Sequence, residues 1–235
     1  MKKGIFSQVR KALQDKSDEK TRNSFQRFFK ENVKCHGVKS AEVVKIAEDY
    51  FKKVKNEDKK VIFSLCEEFL KSGYCEEAWI AANWAYFLRE DFESDDFWVF
   101  ERWIDKYIDN WAECDTLCNH TVGTLVEKYP SYIQALKKWA RSKNLWMRRA
   151  AAVTLIIPAR DGKFLNNIFE IADILLCDTE DMVQKGYGWM LKEASRIHTK
   201  EVFDYVVKNK DKMPRTALRY AIEKMPQNLR KKAME

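Results

Sequence analysis

Residues 146–151 read Trp146-Met147-Arg148-Arg149-Ala150-Ala151, a large apolar residue followed by two variable positions and then small residues that let a neighbouring helix approach closely. Trp79-Ile80-Ala81-Ala82-Asn83-Trp84 and Met182-Val183-Gln184-Lys185-Gly186-Tyr187 line up with it. The starts lie 67 and 36 residues apart, and a degenerate copy around 111–117 fits between the first two. A period of this size is that of stacked helical-pair repeats of the HEAT type. The pattern predicts an all-α protein, a curved α-solenoid of HEAT-like helical-pair repeats forming a single domain over residues 1–235. Its concave face would collect one position of each repeat, and Asp115, Arg149 and Lys185 fall there.

The rest of the chain agrees with helices. Only seven glycines and four prolines occur in 235 residues, and helical periodicity runs nearly throughout. Helices are predicted over 5–15, 17–30 and 41–53, the last capped by Ser40, with 35–39 as a turn. Others follow over 58–71, 76–89, 95–108, 111–128, 131–141 and 145–157, with Pro158 ending the last of these. Further segments cover 165–176, 182–196, 200–208 and 215–224, and 228–235 reads as a frayed basic tail. Trp79, Trp84, Trp98, Trp103, Trp139 and Trp146 sit at helical spacing among apolar neighbours and are expected in the repeat core.

Composition excludes several classes. No apolar run approaches the roughly 20 residues needed to span a bilayer, and the N-terminus reaches charged residues too soon for a secretory signal. A soluble, cytoplasmic protein is the expectation, with its six cysteines reduced. Cys114, Cys118 and His120 lack a fourth ligand at recognisable spacing, so no metal site is expected. The net charge of +7 is unevenly spread. Residues 1–72 carry 18 basic and 11 acidic side chains, 73–129 carry 4 and 13, and 130–235 carry 21 and 12. Two basic lobes around an acidic middle suit a polyanion held at two places, with the acidic helices turned to solvent.

Trp111 and Asp115 are four residues apart and project from one face of a helix, an aromatic platform beside a carboxylate. Taken with Asn144-Leu145-Trp146-Met147-Arg148-Arg149-Ala150-Ala151 and Val183-Gln184-Lys185-Gly186-Tyr187-Gly188-Trp189-Met190-Leu191-Lys192-Glu193, this pair resembles the ordered signature of the AlkD-like DNA alkylation repair family. The resemblance covers about residues 28–219. It implies HEAT-like repeats around duplex DNA and an N-glycosylase that excises N3- or N7-alkylated purines, acting as a monomer without a cofactor and associated with the nucleoid through DNA.

Position by position, the resemblance makes Asp115 the catalytic carboxylate and Trp111 and Trp189 the aromatic contacts to the lesion's sugar-phosphate. Arg149 matches a backbone-contacting arginine, Phe28 an aromatic near the lesion, and Lys39 a polar position. Lys185, one turn before Trp189, is a candidate phosphate contact. Arg148 is a further candidate, although it points about 100° from Arg149 and could pair with an acidic neighbour instead. Two other readings stand beside this one. One is a relative that binds damaged or branched DNA without excision, and the other a helical scaffold for a protein partner.

Overall fold

The computed structural model of the chain describes residues 2–30 and 32–235, and every regular element among them is helical. Packing divides the chain into two compact units, Met1–Leu117 and Cys118–Glu235.

The first unit contains α1 (Lys2–Asp15), α2 (Glu19–Gln26), α3 (Ser40–Phe51), α4 (Lys59–Lys71), α5 (Cys75–Phe87), α6 (Asp96–Tyr107) and α7 (Trp111–Thr116). Helix α5 is apolar on nearly every side, which a helix can be only when surrounded, and it packs against α3, α4 and α7. Trp84 lies at its centre, edge-on to Phe69 with ring centroids 5.4 Å apart, its indole N–H donating to the Ala47 carbonyl at 2.9 Å.

The two acids that open α5 are fully buried and hold the 35–39 turn. Glu76 accepts backbone N–H bonds from His36, Gly37 and Val38 at 2.8, 2.8 and 3.0 Å. Glu77 takes both arms of Arg10 at 2.7 and 2.8 Å and faces His36 Nε2 at 3.0 Å. Gly37 has φ +86°, and a Cβ there would stand 2.8 Å from the Asp18 carbonyl oxygen. Only glycine fits that turn.

A π-helical turn that starts at the last residue of the first unit (Leu117–Val122) leads into α8 (Gly123–Lys128) of the second. Then come α9 (Ile133–Trp139), α10 (Leu145–Val153), α11 (Ile156–Arg160) and α12 (Leu165–Leu175), followed by α13 (Asp181–Ala194), α14 (Thr199–Asn209), α15 (Arg215–Ala221) and α16 (Gln227–Met234). Helix α13 is the hub, touching α10, α11, α12, α14 and α15. Its closest approach is at Gly188, where a Cβ would lie 2.7 Å from Tyr220 Cβ and 2.9 Å from the Ala217 carbonyl oxygen of α15.

Several expectations are corrected. Lys39, not Ser40, occupies the N-cap of α3, and its side chain makes no capping bond. The predicted helix 17–30 is only Glu19–Gln26, capped by Asp18. Pro158 does not end a helix. It lies in the first turn of α11, where a missing N–H costs nothing. The basic tail is α16, with Ala233 buried. Trp98 is 51% exposed, because Phe97, Phe100 and Ile104 take the buried stripe of α6 and Trp98 is one residue, about 100°, off it. Trp84, Trp103, Trp139 and Trp146 are buried as expected. The acidic middle is not wholly solvated either, since Glu76, Glu77, Asp96 and Glu113 are buried.

Candidate functional site

Helix α7 starts where it does because Asn110, itself 1% exposed, caps it. The Asn110 amide oxygen accepts from the Glu113 N–H at 3.1 Å, and its NH2 donates to Asp109 at 3.0 Å. At its end Thr116 turns its hydroxyl back onto the Ala112 carbonyl at 2.7 Å. The chain then widens into the π turn. Such turns occur often at functional sites, where the wider backbone re-aims the side chains on either side.

Trp111 and Asp115 stand on this helix, and both are half-buried. Asp115 is the fifth residue of α7, so it is not a helix cap. Trp111 is braced from a distant part of the chain. Its ring stacks on Phe29 at 5.4 Å and 24°, Phe29 stacks on Phe25 at 5.6 Å, and Phe25 leans on Trp79 at 5.3 Å. The Trp111 indole N–H donates to the Phe28 carbonyl at 3.4 Å. Phe29 is buried and Phe28 is 70% exposed, so residues 28 and 29 divide the work: one ring backs the indole, the other is presented to solvent. The structure thus brings Phe28 and Trp111 together across 83 residues of sequence.

Behind Asp115's helix lies a group that sequence reading missed. Glu113 is 4% exposed, and its burial, reinforced by the like charge of Asp109, raises its carboxyl from the ordinary 4.5 to about 8. At neutral pH it is protonated, so α7 rests on a neutral carboxyl next to the thiol of Cys75. A Glu in the first turn reads from sequence as dipole compensation, and nothing local marks it as buried.

The second unit presents its candidates on α10 and α13. Lys185 pairs with Asp181 one turn away at 2.8 Å, both half-exposed. Trp189 is half-buried, its indole N–H donating to Glu193 Oε1 at 3.3 Å. Burial alone would raise the Glu193 carboxyl. Arg196 at 2.5 Å and Arg160 at 3.0 Å outweigh that and hold it below its ordinary range, as an anion that fixes the indole.

Arg149 is 5% exposed. Its guanidinium donates to the Met182 carbonyl and its stem lies along Gly186, so it braces α10 against the start of α13. Arg148 pairs with an acidic neighbour, the alternative its direction on the helix allowed. Both its arms hold Asp178, at 2.6 and 3.4 Å, and it also donates to the carbonyls of Ser142 and Lys143 at 3.0 and 3.1 Å. Lys39 is exposed at the head of α3, beside the turn that Glu76 secures.

Among the described residues, which are helical in every regular element, candidate side chains stand on two helices, Trp111 and Asp115 on α7 and Lys185 and Trp189 on α13. The family model of DNA alkylation repair enzymes matches residues 9–225, and the chain belongs to that family. Among solved structures it is similar to one described as a predicted DNA alkylation repair enzyme from Enterococcus faecalis. The likeness covers 90% of this chain and 98% of that one, at 14% identity and a TM-score of 0.80. That degree of identity speaks for a shared fold. No curated protein sequence matches the chain.

Proposed function

We propose that this chain is a DNA N-glycosylase, built on HEAT-like helical-pair repeats, that removes N3- and N7-alkylated purines from duplex DNA as a monomer and without a cofactor. The observation that carries the reading is the pairing on α7 of a half-exposed carboxylate, Asp115, with an indole braced by Phe29, in a chain of the DNA alkylation repair family.

The chemistry asks for little more. Alkylation at N3 or N7 makes the purine cationic, so when the C1′–N bond breaks its electrons neutralise the leaving base and no general acid is needed. The barrier lies in the positive charge that develops on the sugar. A carboxylate near C1′ stabilises that charge and accepts a proton from the water whose oxygen bonds to C1′, as carboxylates do in glycoside hydrolysis. In this proposal Asp115 has that role. Trp111 offers an electron-rich face to the cationic sugar, Phe28 lies against the lesion's surroundings, and Lys39 contacts a phosphate. Trp189 and Lys185 contact the backbone. Lys185 exchanges Asp181 for a phosphate at small cost, since an exposed i,i+4 pair is worth only about 0.3–0.5 kcal/mol. Arg149 acts by holding α13, which carries them both.

The test is release of free methylated base from methylated duplex DNA, with unmethylated duplex as control. Release from the methylated substrate alone is the expected result. Salt-sensitive binding with no release would establish the non-excising relative instead, and salt-insensitive behaviour with no DNA binding the protein scaffold.

A further inference from the structure

Basic side chains of the second unit are mostly neutralised as far as α14. Lys137, Arg148, Arg160, Lys163, Lys185 and Lys192 each hold a carboxylate. Beyond Lys200 the pairing stops. Residues 205–235 carry nine basic and three acidic side chains. A cleft of about 980 Å³ opens between α15 and α16, with Arg215, Arg219, Arg230 and Lys231 among its lining residues and Tyr220 and Met234 as its apolar part. All four cations are exposed, and none makes an ion pair with any described residue. The carboxylate in the lining, Glu223, is already held by Lys192 at 3.2 Å.

We propose that this cleft is a second phosphate-binding site that grips the duplex backbone to one side of the lesion. Four uncompensated cations facing one cleft repel one another, and Arg215 also opens α15, where the positive end of the helix dipole disfavours it. Such an arrangement is relieved by a polyanion. Three of the four are arginines, whose planar forks match phosphate oxygens two at a time. Arg215 and Arg219, four residues apart on α15, are separated by about 6 Å along its axis, close to the advance of two nucleotides of one strand.

Position gives the site a direction. Helix α15 packs on α13, which carries Lys185 and Trp189, and Lys192 of α13 reaches Glu223 at the cleft's edge. Helices in contact lie about 8–10 Å apart, so the cleft is roughly 10–15 Å from α13, or about three to four base pairs along a duplex. This placement rests on the DNA reading of α13 given above.

The experiment measures affinity for duplexes with one methylated purine, truncated on either flank in turn to two base pairs, across a salt series. Wild type, Arg215→Ala/Arg219→Ala and Arg230→Ala/Lys231→Ala are compared. The wild type loses affinity when the flank that the cleft holds is shortened. Each double variant shows a log–log salt slope shallower by about 2 on the full duplex, binding weaker by about tenfold for each cation removed at 0.1 M salt, and no further weakening on truncation of that flank. Variants that superpose on the wild type overturn the proposal, and a cleft built for an acidic protein gives that result. Wild-type base release by double variants whose flank dependence equals that of the wild type sinks the cleft while sparing the glycosylase. Cleft-dependent binding without base release does the reverse.

Discussion

Replacing Glu113 by Gln separates the energetics of the packing under α7 from the chemistry on its surface. In the folded chain burial keeps this carboxyl neutral to about pH 8, whereas in the unfolded chain it ionises near 4.5. Folding therefore holds a proton that the unfolded chain has released. Stability from this group is complete below pH 4.5 and is lost as pH rises toward 8, at about 1.4 kcal/mol per pH unit in between. From pH 6 to pH 8 the loss comes to about 2 kcal/mol. Gln has the same shape and hydrogen-bonding reach but nothing to ionise, so Glu113→Gln loses none of it. Urea unfolding of both proteins at pH 6 and pH 8, followed by tryptophan fluorescence, reads the difference directly. The variant should exceed the wild type by about 2 kcal/mol at pH 6 and by about 4 kcal/mol at pH 8. Identical pH dependence in the two proteins would refute the assignment of a neutral Glu113.

Three further outcomes follow from the packing. Glu77 behaves in the opposite sense. Burial works against its charge, but His36 and Arg10 more than compensate and bring it down to about 2, so stability present above pH 4.5 is lost as pH falls toward 2, by about 3 kcal/mol. Glu77→Gln should flatten that acid limb in a pH series of urea midpoints. Gly188→Ala gains about 1 kcal/mol of helix propensity but drives a methyl into Ala217 and Tyr220, and a net destabilisation of about 1–3 kcal/mol is expected in thermal melts. Arg148→Ala should destabilise by about 3 kcal/mol by leaving Asp178 with its partner gone, yet leave the salt slope of DNA binding unchanged. A shallower slope would return Arg148 to the DNA interface.

The helices were legible because apolar residues at 3.6-residue spacing are a local signal, and the small residues Ala150, Ala151, Gly186 and Gly188 do mark close packing, Gly188 most plainly. The start of α7 was legible from Trp111. What escaped is what depends on partners far along the chain. Nothing near Glu76 and Glu77 announces that they satisfy a turn forty residues earlier, although two acids opening a helix that is otherwise apolar all round had to be buried with it. Pro158 was misread because a proline is as acceptable in the first turn of a new helix as it is after an old one. The predicted helix 111–128 is there as one helical run, but its π turn at Leu117–Val122 has no local signal in the sequence. Arg148 and Arg149 look alike in sequence, and only the position of Asp178 and of the Met182 carbonyl decides what each one holds.

Whether Asp115 is the carboxylate at the reacting sugar is tested most directly by single-turnover release of methylated base from the wild type and from Asp115→Asn, with duplex affinity measured alongside. Release should fall by at least a hundredfold while DNA affinity stays within a few-fold, since an amide keeps the shape but not the charge. Release at the wild-type rate by the variant would contradict that role.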